Sequence, residues 1–132
     1  MTKKVLGYLG VLSILVLLTA CAQLTQQPIY NVNNQTVPAG LTTAQVENAI
    51  LVAGASKGWN MQKVRSGLIV GSINVRHHYA QVTIPYSQNS YSVLYKSSSN
   101  LNAAGGEIHR NYNKWVILLN RQIMSQLHSA IR

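Results

Sequence analysis

Residues 79–86, YAQVTIPY, alternate in character: Ala80, Val82 and Ile84 fall on one parity, Tyr79, Gln81 and Thr83 on the other. A period of two marks a strand with one face buried. The pattern extends in both directions. Upstream, Trp59–Arg65 and Leu68–Arg76 flank Ser66-Gly67, a two-residue turn candidate. Downstream, Ser87-Gln88-Asn89-Ser90 separates the run from Tyr91–Lys96. Connections this short force antiparallel neighbours, so the middle of the chain reads as a four-stranded meander. Its second strand is apolar on both parities (Leu68 and Val70 against Ile69, Ile73 and Val75), which suits an interior position.

The period changes to that of a helix on either side of the meander. Thr42 and Gln45 form a capping-box pattern, with Leu41 and Val46 as the two ends of a hydrophobic staple. Val46, Ala49, Ile50 and Ala53 then recur at helical spacing, and Gly58 supplies a stop, predicting a helix over 43–57. Glu47 lies in its early turns, where a carboxylate favours the helix dipole. After a loop over 97–106, Ile108, Tyr112, Trp115, Leu119, Ile123 and Leu127 form one apolar stripe, predicting a final helix over 107–130. The expected fold is α+β in the order α-β-β-β-β-α, a four-stranded antiparallel meander with two helices packed on one face. No internal repeat is visible.

The amino end speaks to location. Lys3 and Lys4 precede an apolar run from Val5 to Leu18, which is short for a membrane span and suited to a secretory signal. It closes on Leu18-Thr19-Ala20-Cys21, which resembles the lipobox of bacterial lipoproteins. That resemblance implies cleavage before Cys21, diacylation of its thiol, and anchoring strong enough to be stable. Ala22 in place of Asp implies sorting to the outer membrane of a Gram-negative cell. Residues 1–20 are then a removed signal peptide, and 21–40 carry the lipidated cysteine and a flexible tether. Residues 41–132 form a small periplasmic domain. The tether reading rests on Gln, Asn, Thr and Pro without periodicity; nineteen such residues span about 65 Å extended and about 25 Å as a coil. Ile29, Tyr30 and Val32 are apolar enough for part of it to dock on the domain.

Composition removes most enzyme classes. The chain has 132 residues, no aspartate, two glutamates and one cysteine. Carboxylate pairs, Asp-oriented triads and carboxylate-rich metal loops are therefore out of reach or nearly so, and lipidation would consume the lone thiol. No enzyme activity, cofactor or metal is expected. Beyond residue 20, nine Lys/Arg stand against Glu47 and Glu107, a side-chain balance of +7. Such a surface favours anionic neighbours such as lipid headgroups, lipopolysaccharide or peptidoglycan. The charges look scattered along the chain, and nucleic acid is a poor partner for an exported, anchored protein.

One stretch invites a functional reading: Gly105 to Trp115, GGEIHRNYNKW. Together with Gly58-Trp59 and Ser98-Ser99-Asn100-Leu101, its Ile-His-x-x-Tyr-Asn-x-Trp pattern resembles a family of small Gram-negative lipoproteins without an established activity. The resemblance covers about residues 41 to 127 and implies fold and location, but no catalytic residue. Read physically, Ile108, Tyr112, Trp115 and Leu119 would face the sheet, while His109, Asn113 and Asn120 share a neighbouring flank. His109 could hydrogen-bond the 98–101 loop. His109, Tyr112, Asn113 and Asn100 are the candidate interaction cluster, although capping and packing account for the same residues. His77-His78 and His128 read as incidental surface histidines. Tyr79, Tyr91, Tyr95 and Trp59 read as sheet packing. The expected role is structural or protein-binding within the cell envelope; the alternative is a binding module for an anionic envelope polymer.

Overall fold

In the computed structural model, which describes residues 25–131, two short strands, β1 (Gln26–Pro28) and β2 (Val32–Thr36), precede helix α1 (Thr43–Ser56). Strands β3 (Asn60–Arg65), β4 (Leu68–Val75), β5 (His78–Pro85) and β6 (Ser90–Ser99) follow, then β7 (Glu107–His109) and helix α2 (Arg110–Ala130). Residues 1–20, expected to be a signal peptide, and Cys21 lie outside the described residues. The fold is α+β, with the meander β3-β4-β5-β6 present and antiparallel throughout.

Two differences from the sequence reading matter. The sheet has five strands in the order β2-β6-β5-β4-β3, because β2 adds to the outer edge of β6. A separate two-stranded ribbon pairs β1 with β7. Residues 26–36, expected in a flexible tether, are therefore built into the domain, and both Val32 and Val37 are buried in its core. Polar strands like these lack the apolar alternation that marks a buried face, so composition alone reads as linker. Likewise residues 107–109, expected in the last helix, are strand.

The meander buries one parity. Ile69, Gly71 and Ile73 of β4 pair with Ile84, Val82 and Ala80 of β5, and all six are buried. The opposite parity, including Leu68, Val70 and Thr83, is half-buried. Both helices reach the buried side. On α1, Thr42 forms the capping box with Gln45, and Val46, Ala49, Ile50 and Ala53 are buried. Gly54 in its interior has a packing reason. A Cβ there would lie 2.3 Å from Met61 Cγ, and one on Gly71 would lie 2.8 Å from Met61 Sδ. Met61 occupies a slot that the two glycines leave between helix and sheet.

On α2 the buried stripe is Tyr112, Val116, Leu119, Ile123 and Leu127. Val116 takes the place expected for Trp115, a rotation of one residue that the apolar pair Trp115-Val116 left open in the sequence. Trp115 lies at the margin of the stripe, half-buried, with its ring 6.3 Å from that of His78. Tyr112 is fully buried and meets Tyr95 edge-on at 5.5 Å. Its hydroxyl has no hydrogen-bond partner among the described residues, and burial, with the nearby Tyr95 phenol, pushes its ionisation well above the ordinary range.

Glu47 ties α1 to the sheet. Its carboxylate accepts from the Tyr86 hydroxyl and pairs with Lys63 Nζ at 3.1 Å. The Tyr86 hydrogen bond, then Lys63, holds its pKa below the ordinary 4.5. Its role lies in these two contacts across to the strands, beyond the dipole effect expected from its place in the helix.

Two outcomes follow from this packing. Leu119→Ala should lose about 2–5 kcal/mol in urea denaturation; Tyr112→Phe, which removes an unpaired buried hydroxyl, should be neutral or stabilising by up to about 1 kcal/mol. A marked loss in Tyr112→Phe would mean that the hydroxyl has a partner. The Glu47 contacts stabilise fully above the ordinary carboxylate pKa of 4.5 and fade as pH falls through the lowered value. The gap in urea midpoint between the wild type and Glu47→Gln should accordingly be widest near neutrality and close on acidification.

Candidate functional site

The start of α2 is assembled by long-range contacts. Gly105 and Gly106 adopt positive φ, 60° and 79°, and turn the chain into β7. β7 pairs with β1 in the register Gln26 with His109, Gln27 with Ile108, and Pro28 with Glu107. Two further backbone bonds close this ribbon: Ile29 N–H donates to Gly106 C=O (2.9 Å), and Arg110 N–H donates to Thr25 C=O (2.9 Å). The amino-terminal segment is thereby fastened across the first turn of α2.

His109, Tyr112, Asn113 and Asn100 do not converge on one exposed site. Tyr112 points into the core. Asn113, 7% exposed, accepts from Tyr30 N–H (3.0 Å) and donates to Pro28 C=O (2.9 Å) and Gln27 Oε1 (3.3 Å). It is a clamp on the segment after β1. His109 is the N-cap of α2, its Nδ1 accepting from Asn111 N–H (3.1 Å), and its own backbone N–H donates to Leu101 C=O (2.8 Å). The contact with the 98–101 loop thus runs through the main chain. Asn100, at φ 60°, donates from Nδ2 to His77 C=O (2.7 Å), and its carbonyl accepts from His78 Nδ1 (2.6 Å).

His78, which sequence reasoning placed among incidental histidines, joins this region. Its ring stacks near that of His109, with centroids 6.2 Å apart and planes 20° apart. The hydrogen bonds set the two imidazoles in opposite senses: Nδ1 carries the proton in His78 and the lone pair in His109. No group of three metal-ligating side chains occurs among the described residues.

A second feature was missed. Arg110, Lys114 and Arg121, counted in the sequence as part of a scatter, line up on one face of α2 with Ile117 between them. Positions 110, 114, 117 and 121 fall within about 60° of one another around a helix, and that spacing was the available signal. The four residues, with Gln27 and Leu118, border an open cavity of about 550 Å³. The three cations are exposed, and the only ion pair among the described residues is the distant Glu47–Lys63 contact. An adjoining cavity of about 620 Å³ is lined by Tyr30, Asn31 and Asn33, and shares Gln27 and Asn113 with the first. No protein-family profile, no curated protein and no solved structure matches the chain.

The clamp has a direct test. Asn113→Ala leaves Tyr30 N–H and Pro28 C=O without their partner, and should cost about 1–3 kcal/mol in denaturation. Hydrogen exchange at the Tyr30 amide should accelerate beyond what the global loss explains. An unchanged Tyr30 amide would show that the segment holds without Asn113.

Proposed function

We propose that the chain is a lipoprotein anchored in the outer membrane of a Gram-negative bacterium through acylated Cys21. Its domain faces the periplasm and serves a structural or protein-interaction role in the cell envelope. The lipobox Leu18-Thr19-Ala20-Cys21 and the resemblance to small envelope lipoproteins support the location. The observation that carries the interaction role is the sheet face turned away from the helices. Val64 there is 58% exposed, Leu68 and Val70 on the neighbouring strand β4 are partly exposed, and so is Leu94 on β6, beyond Thr83. Apolar area displayed on a rigid sheet suits contact with another protein. The residues that looked most like chemistry support the same reading, because His109 caps, Asn113 clamps and Tyr112 packs.

The basic side-chain balance supports a second reading, a binding module for an anionic envelope polymer such as lipopolysaccharide or peptidoglycan. Salt separates the two, since polymer binding through exposed cations weakens strongly as ionic strength rises, whereas apolar protein contact does not.

Labelling with radioactive palmitate should mark the wild type and leave Cys21→Ser unlabelled and unprocessed or released. Label retained in Cys21→Ser would refute acylation at this cysteine. A photo-cross-linker at Val70 should capture an envelope protein in cells, insensitive to salt. Cross-linking no stronger there than at Lys57, which is exposed at the end of α1, would count against the sheet face.

A further inference from the structure

We infer that the exposed face of α2 bearing Arg110, Lys114, Ile117, Leu118 and Arg121 lies flat against the anionic headgroups of the membrane. Four observations converge. The three cations occupy one face along about 16 Å of helix, with no carboxylate paired to any of them among the described residues. Glu107, the nearest carboxylate along the chain, lies on β7 and forms no ion pair with them. Ile117, 37% exposed, and the half-buried Leu118 stand between Lys114 and Arg121. Apolar side chains flanked by cations are what an interfacial helix presents to headgroups and the acyl boundary, whereas a soluble polyanion gains nothing from them.

The fourth observation is where the chain enters the fold. β1 and β7 are antiparallel, so the chain traced back from Gln26 runs past His109 to Thr25, which accepts from Arg110 N–H. Gln27 borders the same cavity as the cations. Cys21 is four residues from Thr25, a reach of about 14 Å at most; without acylation, the apolar run ending at Leu18 is seven residues away, about 25 Å at most. Either way Thr25, the described residue from which that reach is counted, lies beside this face. A lysine or arginine near an anionic surface gains from its potential, and three on one face set the domain's orientation. The inference uses the proposed lipoprotein reading only for the shorter of the two distances.

The test places a polarity-sensitive dye on Ile117→Cys in the full acylated chain, whose Cys21 thiol is then blocked. The chain is reconstituted into phosphatidylcholine vesicles with and without phosphatidylglycerol. The dye should shift to the blue and be quenched by brominated acyl chains when phosphatidylglycerol is present, and lose both signals in high salt. The same dye on Asn74→Cys, exposed on β4, should remain in water. Replacing the three exposed cations, Arg110→Gln, Lys114→Gln and Arg121→Gln together, should lower the apparent affinity of the face for these vesicles about 100-fold.

A second arm repeats the Ile117→Cys measurement in the Cys21→Ser chain, which retains the Val5–Leu18 run. If the wild type takes up no palmitate but the dye on the Cys21→Ser chain still enters anionic vesicles, the lipoprotein reading falls and the membrane face stands. A dye on Ile117 as wet as one on Asn74, or a signal indifferent to the triple Gln replacement, overturns the inference. Retention of purified peptidoglycan that depends on the three cations, without a vesicle signal, reassigns the face to a polymer and overturns it too.

Discussion

A strand set that is apolar on one parity cannot leave that parity in water, and this constraint organises the molecule. Ile69 and Ile73 on β4, Val82 and Ile84 on β5, and Tyr91 and Val93 on β6 are all buried on one side of the sheet. Each fully buried aliphatic side chain contributes about 1.5–3 kcal/mol. A sheet of this size needs more cover than one helix gives. α1 brings Val46, Ile50 and Ala53, and α2 brings Val116, Leu119, Ile123 and Leu127. Gly54 and Gly71 allow α1 to come close, and Met61 fills the space they leave.

Covering the sheet with α2 also determines what happens at its first turn. A helix leaves its initial N–H groups without partners, and here His109 Nδ1 meets the one on Asn111. The amino-terminal segment completes the arrangement through β1, β2 and the Asn113 side chain. The result is a domain that takes in strands β1 and β2, within the stretch whose polar composition reads as a tether. The chain enters the fold at the foot of α2, beside three cations, so the geometry of entry and the charge of the surface belong to one feature.

Of the polar residues that drew notice in GGEIHRNYNKW, the His109 and Asn113 side chains are consumed by structural hydrogen bonds. Asn113 makes three contacts to the segment 27–30, and Asn100 locks the turn holding His77 and His78. What remains free for partners is plainer: apolar side chains on the open sheet face and a basic face on α2. Neither depends on an unusual side chain, which is why a search for catalytic constellations passes over both.

The sequence by itself determined the α+β class, the capping box at Thr42, the meander and the existence of both helices. These are local consequences of period and capping, visible within windows of a few residues. The phase of the cations at 110, 114 and 121 is likewise a matter of helical spacing and is written in the sequence. Tertiary structure decided the rest. Whether Trp115 or Val116 enters the core turns on one residue of helix rotation, which an apolar pair does not specify. Whether residues 26–36 float or pair turns on partners up to 86 positions away, as in the contact from Asn113 to Gln27. A polar strand draws its stability from backbone bonds to an edge that exists only once the sheet is built, and no local pattern encodes that edge.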